Sequence, residues 1–167
     1  MNRILLVDDE QNVLDALRRE LQDEYEVEAF VSPKDALTRC CETVFDLVIA
    51  DYRMPGMNGV QFLKQFSEIQ PDAARLILSV NADIQGLLGA INEMHIHHFI
   101  AKPWEEAELK SAIAQALNYR RILQENRRLA ETYRGSSLAP ESSRSERRHP
   151  YRIAVVNGDE TALGLIR

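Results

Sequence analysis

The sequence predicts an α/β domain: an open, doubly wound sheet of five parallel strands in the order 2-1-3-4-5, helices on both faces, and an extended C-terminal helix. Three features of the chain require it. Short strand-like segments, continuous apolar runs or an apolar–polar alternation, recur five times between Arg3 and Ala101, each too short for a helix. The segments between them carry apolar residues at helical spacing. Strict alternation of the two kinds needs crossover connections, which place helices on both faces of a parallel sheet.

The elements follow in order. Arg3 to Val7 is a continuous apolar strand, as expected of a strand covered on both sides, and it ends in Asp8-Asp9-Glu10. From Gln11 to Glu24, Val13, Leu14, Leu17 and Leu21 make the apolar side of an amphipathic helix. Tyr25 to Val31 alternates as a second strand, and Ser32-Pro33 opens a helix with a cap followed by proline. Asp46 to Ala50 is the third strand. The loop Asp51-Tyr52-Arg53-Met54-Pro55-Gly56-Met57-Asn58 after it is rich in turn residues. A helix from Gly59 to Ile69, a strand from Arg75 to Val80, a glycine-weakened helix from about Asp83 to Met94 and a short strand from His98 to Ala101 complete the alternation. A last helix starts near Trp104-Glu105.

Composition narrows the class. The chain has 167 residues and 45% hydrophobic side chains, enough for one ordinary domain and an appendage. No apolar run approaches a membrane span, and Met1-Asn2-Arg3 leads straight into a strand, so no membrane or export is expected. Cys40 and Cys41 are adjacent in a helical pattern, where side chains diverge, which fits a reducing cytoplasmic setting. Residues 1–118 carry 10 Lys/Arg against 20 Asp/Glu, and residues 119–167 carry 10 against 6. The arginines of that second part, including Arg120, Arg121, Arg127, Arg128 and Arg134, are interspersed with glutamates and read as a solvated helix face, not as a nucleic-acid surface.

In such sheets ligands bind beyond the carboxyl ends of the strands, near the switch between strands 1 and 3. Asp8 and Asp9, Asp51, Ser79 and Lys102 arrive there from four different strands. Taken alone, Asp51 suits either a site residue or a cap for the helix that follows. Three clustered carboxylates repel one another unless a cation or proton offsets the charge. Oxygen ligands without His or Cys favour magnesium, which binds one or two carboxylates together with a phosphate oxygen. Phosphoryl transfer needs an in-line nucleophile and positive charge on the equatorial oxygens. Asp51 suits the first role, the metal and Lys102 the second, and Ser79 is a hydroxyl donor. His95, His97 and His98 are crowded just before a strand and do not have the spacing of a standard zinc site.

From residue 2 to about 118 the chain resembles the receiver domain of bacterial two-component response regulators, of the flavodoxin-like, chemotaxis-regulator type. The resemblance rests on Asp8-Asp9, on Asp51 before Met54-Pro55-Gly56-Met57-Asn58-Gly59, and on Ser79, Phe99 and Lys102-Pro103, all in family order. It implies that Asp51 accepts a phosphoryl group from a sensor histidine kinase or phosphotransfer protein. It implies that Asp9, Asp51 and the Arg53 carbonyl bind magnesium with Asp8 assisting through water, and that the Lys102-Pro103 peptide is cis. It implies a switch in which Ser79 is drawn to the phosphoryl group and Phe99 rotates into the space it leaves. The domain would then be a signalling receiver that catalyses only its own phosphorylation and dephosphorylation. Two residues depart from the commonest pattern: Val80 follows Ser79 where a smaller residue is frequent, and Phe99 lacks the hydroxyl of a tyrosine.

The last helix outruns the domain. Leu109, Ala112, Ile113, Ala116 and Leu117 form a stripe for the sheet, after which Tyr119, Ile122, Asn126, Leu129 and Tyr133 take heptad spacing. A helical extension over 119–134 is expected, pairing two copies through residues 119–133, with Asn126 setting register. Residues 135–150 read as a flexible linker, and 151–167 as the truncated start of a second receiver-like domain, because Arg152, Ile153 and Val156 repeat Arg3, Ile4 and Val7. Two rival functions remain: a phosphorylation-independent dimeric interaction module, and a magnesium-dependent phosphatase. The phosphatase class wants an acidic residue where Arg53 stands.

Overall fold

A computed structural model describes residues 1–80 and 83–136. Five strands and five helices alternate: β1 (Arg3–Val7), α1 (Gln11–Leu21), β2 (Glu26–Phe30), α2 (Pro33–Cys40), β3 (Leu47–Asp51), α3 (Gly59–Ile69), β4 (Ala74–Ser79), α4 (Ile84–Met94), β5 (His98–Ala101) and α5 (Glu106–Ser136). The strands form one parallel sheet, as the alternation predicts, and its order is the expected β2-β1-β3-β4-β5. The chain divides after Leu123 into two compact units, the first of which holds the sheet. Beyond residue 136, the expected linker and the second-domain start lie outside the described residues.

Successive strand residues point to opposite faces, so a strand covered on both sides is apolar throughout. Every residue of β3 and β4 is buried. On one face Ile4, Leu6, Ile49 and Leu76 pack with Leu14, Leu17 and Leu21 of α1 and Leu109 and Ile113 of α5. On the other, Leu5, Val48 and Ile77 pack with Cys40 of α2 and with Phe62 and Phe66 of α3. Each such side chain contributes about 1.5–3 kcal/mol by leaving water. Edge strand β2 instead carries charge, with Glu26 paired to Arg3 and Glu28 to Arg39, which discourages pairing with another chain.

β3 is shifted by one residue from its sequence reading. Asp46 leaves the strand to accept the Arg3 N–H at 2.8 Å and an ion pair from Arg120 at 3.1 Å. Asp51 becomes the last residue of the ladder, opposite Leu78. Arg120 also donates to the Asp72 carbonyl at 2.9 Å, so it anchors α5 beneath the sheet and does not belong to a solvated face. Arg121 and Arg128 do fit that face, bonded to Asn118 and Glu125 one turn away.

The histidines stand at the amino-terminal end of β5, far along the strand from the carboxyl edge. His97 exchanges hydrogen bonds with Arg75: its N–H donates to the Arg75 carbonyl at 2.8 Å, and its Nδ1 accepts the Arg75 N–H at 3.1 Å. Burial, with the Arg75 charge beside it, lowers the His97 pKa. A neutral imidazole locking two strands together is therefore its role.

Candidate functional site

The sheet register delivers the site. Val7 pairs with Ala50, Asp51 with Leu78 and Ser79 with Ala101, so β1, β3, β4 and β5 end at one level. Backbone bonds continue past the strand ends: Asp8 N–H to Phe30 O at 3.2 Å, Tyr52 N–H to Leu78 O at 2.8 Å, and Lys102 N–H to Ser79 O at 2.9 Å. Side chains at these positions are thus held by the sheet itself. The Lys102-Pro103 peptide is cis.

Asp51 does not cap α3. Asn58 does, accepting the Gln61 N–H at 2.8 Å while the Gln61 side chain accepts the Asn58 N–H at 2.9 Å. That capping box frees Asp51 for the site. Gly59 then passes so close to β3 that a Cβ there would lie 2.5 Å from the Asp51 carbonyl oxygen. Its N–H donates to the Tyr52 carbonyl at 2.8 Å, closing the loop. Gly59→Ala is expected to cost about 1–3 kcal/mol, since the contact is with backbone that cannot move without shifting Asp51. Urea unfolding measures it.

Carboxylate oxygens of Asp8, Asp9 and Asp51 lie within 4.8 Å of one another. Lys102 Nζ sits among them, 2.7 Å from Asp51 Oδ1 and 3.0 Å from Asp8 Oδ2. Burial raises the Asp51 pKa, and the charges of Asp8 and Asp9 add to that, while Lys102 works against them. Burial works to lower Lys102, but its two carboxylate partners outweigh it and the ammonium is held above its usual pKa. One cation against three carboxylates leaves net negative charge in a partly buried place. A hard divalent ion offsets such a charge, and an all-oxygen donor set suits magnesium. Asp9, the exposed member, faces the mouth.

The pocket above these groups holds about 280 Å³, and its walls include Asp9, Arg53, Ser79, Val80 and Asp83. The Ser79 hydroxyl donates to the Val80 carbonyl at 3.0 Å. Val80, 42% exposed, stands at the rim. Phe99 is half-buried against the core cluster on the α3 side. Asp83 had no sequence signal beyond starting a helix, yet it lines this pocket and is bonded by the Arg53 guanidinium. That contact spans 30 residues and depends on loop geometry.

The fold and this edge define a receiver domain of two-component signalling systems. Residues 4–114 match the family described as response regulator receiver domain, and the chain belongs to that family. It is 35% identical over 114 residues to the hydrogenase transcriptional regulatory protein HoxA of Cupriavidus necator, an alignment covering 68% of this chain and 24% of that protein. The chain thus spans about a quarter of the length of that curated relative. Among solved structures it is similar to one described as adenylate cyclase from Rhodopirellula baltica, with TM-score 0.74, 31% identity, and 78% of this chain and 98% of that one covered. A response regulator receiver domain protein from Clostridium thermocellum superposes with TM-score 0.69 at 29% identity, over 74% of this chain and 99% of that one. Receiver domains interact with histidine kinases or phosphotransfer proteins and bind magnesium in general. No helix among the described residues is long and apolar enough to cross a membrane.

Proposed function

We propose that this receiver accepts a phosphoryl group on Asp51 from a phosphohistidine and changes its surface to control a partner or an attached output. The observation that carries this is the convergence of Asp51, Asp8, Asp9 and Lys102 on one strand edge, with the Lys102 ammonium 2.7 Å from Asp51. An Asp51 carboxylate oxygen attacks phosphorus, the phosphorus–nitrogen bond breaks, and the imidazole leaves with the bonding pair and takes up a proton. Lys102 and the Ser79 hydroxyl meet the phosphoryl oxygens. Asp9, Asp51 and the Arg53 carbonyl would hold magnesium, with Asp8 through water, and the ion would supply further positive charge to those oxygens. Ser79 leaves the Val80 carbonyl as it turns to the phosphoryl group, and Phe99 moves into the space released.

Such a domain is a switch that catalyses only its own phosphorylation and dephosphorylation, working in the cytoplasm. Val80 at the rim limits the approach of water and of partners, which sets the lifetime of the phosphorylated form. Incubation with magnesium and acetyl phosphate is the test: one phosphoryl group per chain supports the reading, and sustained turnover of phosphate esters overturns it.

The receiver spans residues 1–118 in this reading, followed by a helical extension over 119–134, a linker over 135–150 and a second receiver-like start over 151–167. Tyr119, Ile122, Leu129 and Tyr133 are all exposed on α5, at the heptad positions that a second copy would cover. The chain therefore forms a homodimer through residues 119–133, with Asn126 in the seam. Sedimentation at micromolar concentration is expected to give a dimer, and Leu129→Glu to weaken it at least about tenfold, a change of about 1.4 kcal/mol. HoxA is named a transcriptional regulator and the Rhodopirellula structure a cyclase, so outputs of both kinds attach to such receivers.

A further inference from the structure

Asp83 presents a buried carboxylate, its side chain 4% exposed, beside the phosphoacceptor pocket, and no role in phosphoryl transfer accounts for it. A buried carboxylate is stable only when paired. Its strongest partner is Arg53, which reaches from the other side of the pocket with its own side chain 72% exposed, and the Ser79 hydroxyl also lies against it. Arg53 Nε donates to Asp83 Oδ1 at 3.0 Å and Oδ2 at 2.8 Å, and Nη2 also donates to Oδ1. An exposed arginine gains little from a surface ion pair, so this fork-shaped contact is there for its geometry.

The geometry runs on into the switch. The Asp83 N–H donates to the Val80 carbonyl at 3.0 Å. The same carbonyl accepts the Ser79 hydroxyl, also at 3.0 Å. Hydrogen bonds at Asp83 therefore link the loop after Asp51 to Ser79: its carboxylate takes the Arg53 guanidinium, and its backbone N–H shares the Val80 carbonyl with the Ser79 hydroxyl. The loop end of that link is pinned to the sheet, because Tyr52 N–H donates to Leu78 O at 2.8 Å.

We infer that the Arg53–Asp83 pair is a clasp, in which two positioning residues hold the Val80 carbonyl where it retains the Ser79 hydroxyl and so oppose the turn of Ser79 toward a phosphoryl group on Asp51. The inference rests on the phosphoacceptor reading and adds to it residues that set the poise of the switch without touching the transferred group. Opening the clasp favours the phosphorylated arrangement. A ligand that demands that arrangement then binds more tightly, because less of its binding free energy is used to reach it.

Beryllofluoride, the phosphoryl mimic, is the probe, titrated into the full chain with magnesium in excess. Binding is read by the fluorescence of the single tryptophan, Trp104, and by calorimetry. Asp83→Asn and Arg53→Met are each expected to tighten binding about three- to tenfold. The double variant is expected to match either single one, since both remove the same contact. Arg53→Lys, which keeps the charge and loses the fork, falls between wild type and Arg53→Met. Amide exchange in α4 without beryllofluoride rises in the opened variants toward its level in the beryllofluoride-bound wild type. Arg53→Met carries the test should Asp83→Asn fail to fold. Additive effects, unchanged affinity or weakened binding overturn the clasp while acetyl phosphate still labels wild-type Asp51. A wild type that takes no label overturns the phosphoacceptor reading and the clasp with it.

Discussion

Asp51→Asn is expected to lose all covalent label from acetyl phosphate and from a phosphorylated kinase, because the amide oxygen is a poor nucleophile and no other carboxylate replaces it. Asp8 and Asp9 lie in the same cluster, but Asp8 is fully buried and Lys102 bonds it from one side. Intact mass before and after incubation decides the point; full labelling of the variant would move the phosphoacceptor elsewhere. The same substitution is expected to raise metal-free stability at neutral pH. Burial and the neighbouring carboxylates raise the Asp51 pKa in the folded state. The stability linked to that proton is fully present below the unfolded-state value of about 3.9 and is lost as pH rises through the folded-state value. At pH 7 the wild type therefore bears the cost of an ionised Asp51, and the asparagine variant does not. Urea midpoints for the two proteins should diverge as pH is raised from 4 to 7 and converge again when magnesium is added.

Lys102→Ala is expected to act in the opposite direction. The ammonium is 16% exposed and bridges Asp8 and Asp51, both nearly inaccessible. Removing one member of a buried ion pair leaves uncompensated charge, at a cost of about 3–5 kcal/mol. Lys102 lowers the Asp51 pKa, so its loss raises that pKa further. The variant is thus least stable at neutral pH and recovers in acid, as the carboxylates take up protons. For transfer, loss of a charged donor to the phosphoryl oxygens is expected to slow labelling about 10²–10³-fold. Stopped-time labelling and urea unfolding at two pH values separate the two effects. Normal stability at pH 7 would mean that water already screens the cluster.

The distinction between these residues and the Arg53–Asp83 pair is one of distance along the chain and of what holds each side chain. Asp8, Asp51, Ser79 and Lys102 were legible because a strand end followed by turn residues is a local signal, and a parallel sheet brings its carboxyl ends to one edge. Leu14, Leu17 and Ile113 were legible as core for a similar reason, the period of their helices. Arg53 was legible only through its backbone carbonyl. Nothing in its neighbours says where a long, exposed side chain will point, and its carboxylate partner is 30 residues away. Arg120 failed in the opposite sense: among other arginines and glutamates it looked solvated, yet its place on α5 brings it to Asp46 and the Asp72 carbonyl.

The sequence by itself determined the alternation of five strands with helices, and that Asp8, Asp51, Ser79 and Lys102 fall at or just past strand ends, because periodicity and turn chemistry act within a few residues. Only the tertiary structure decided that β3 ends at Asp51, that Asn58 caps α3, and that Asp83 is paired across the pocket. The physical reason is common to all three. Each depends on which of several competent polar groups is in reach once the backbone is closed. Asp46 and Asp51 could each have taken a local role, and the sheet register chose between them.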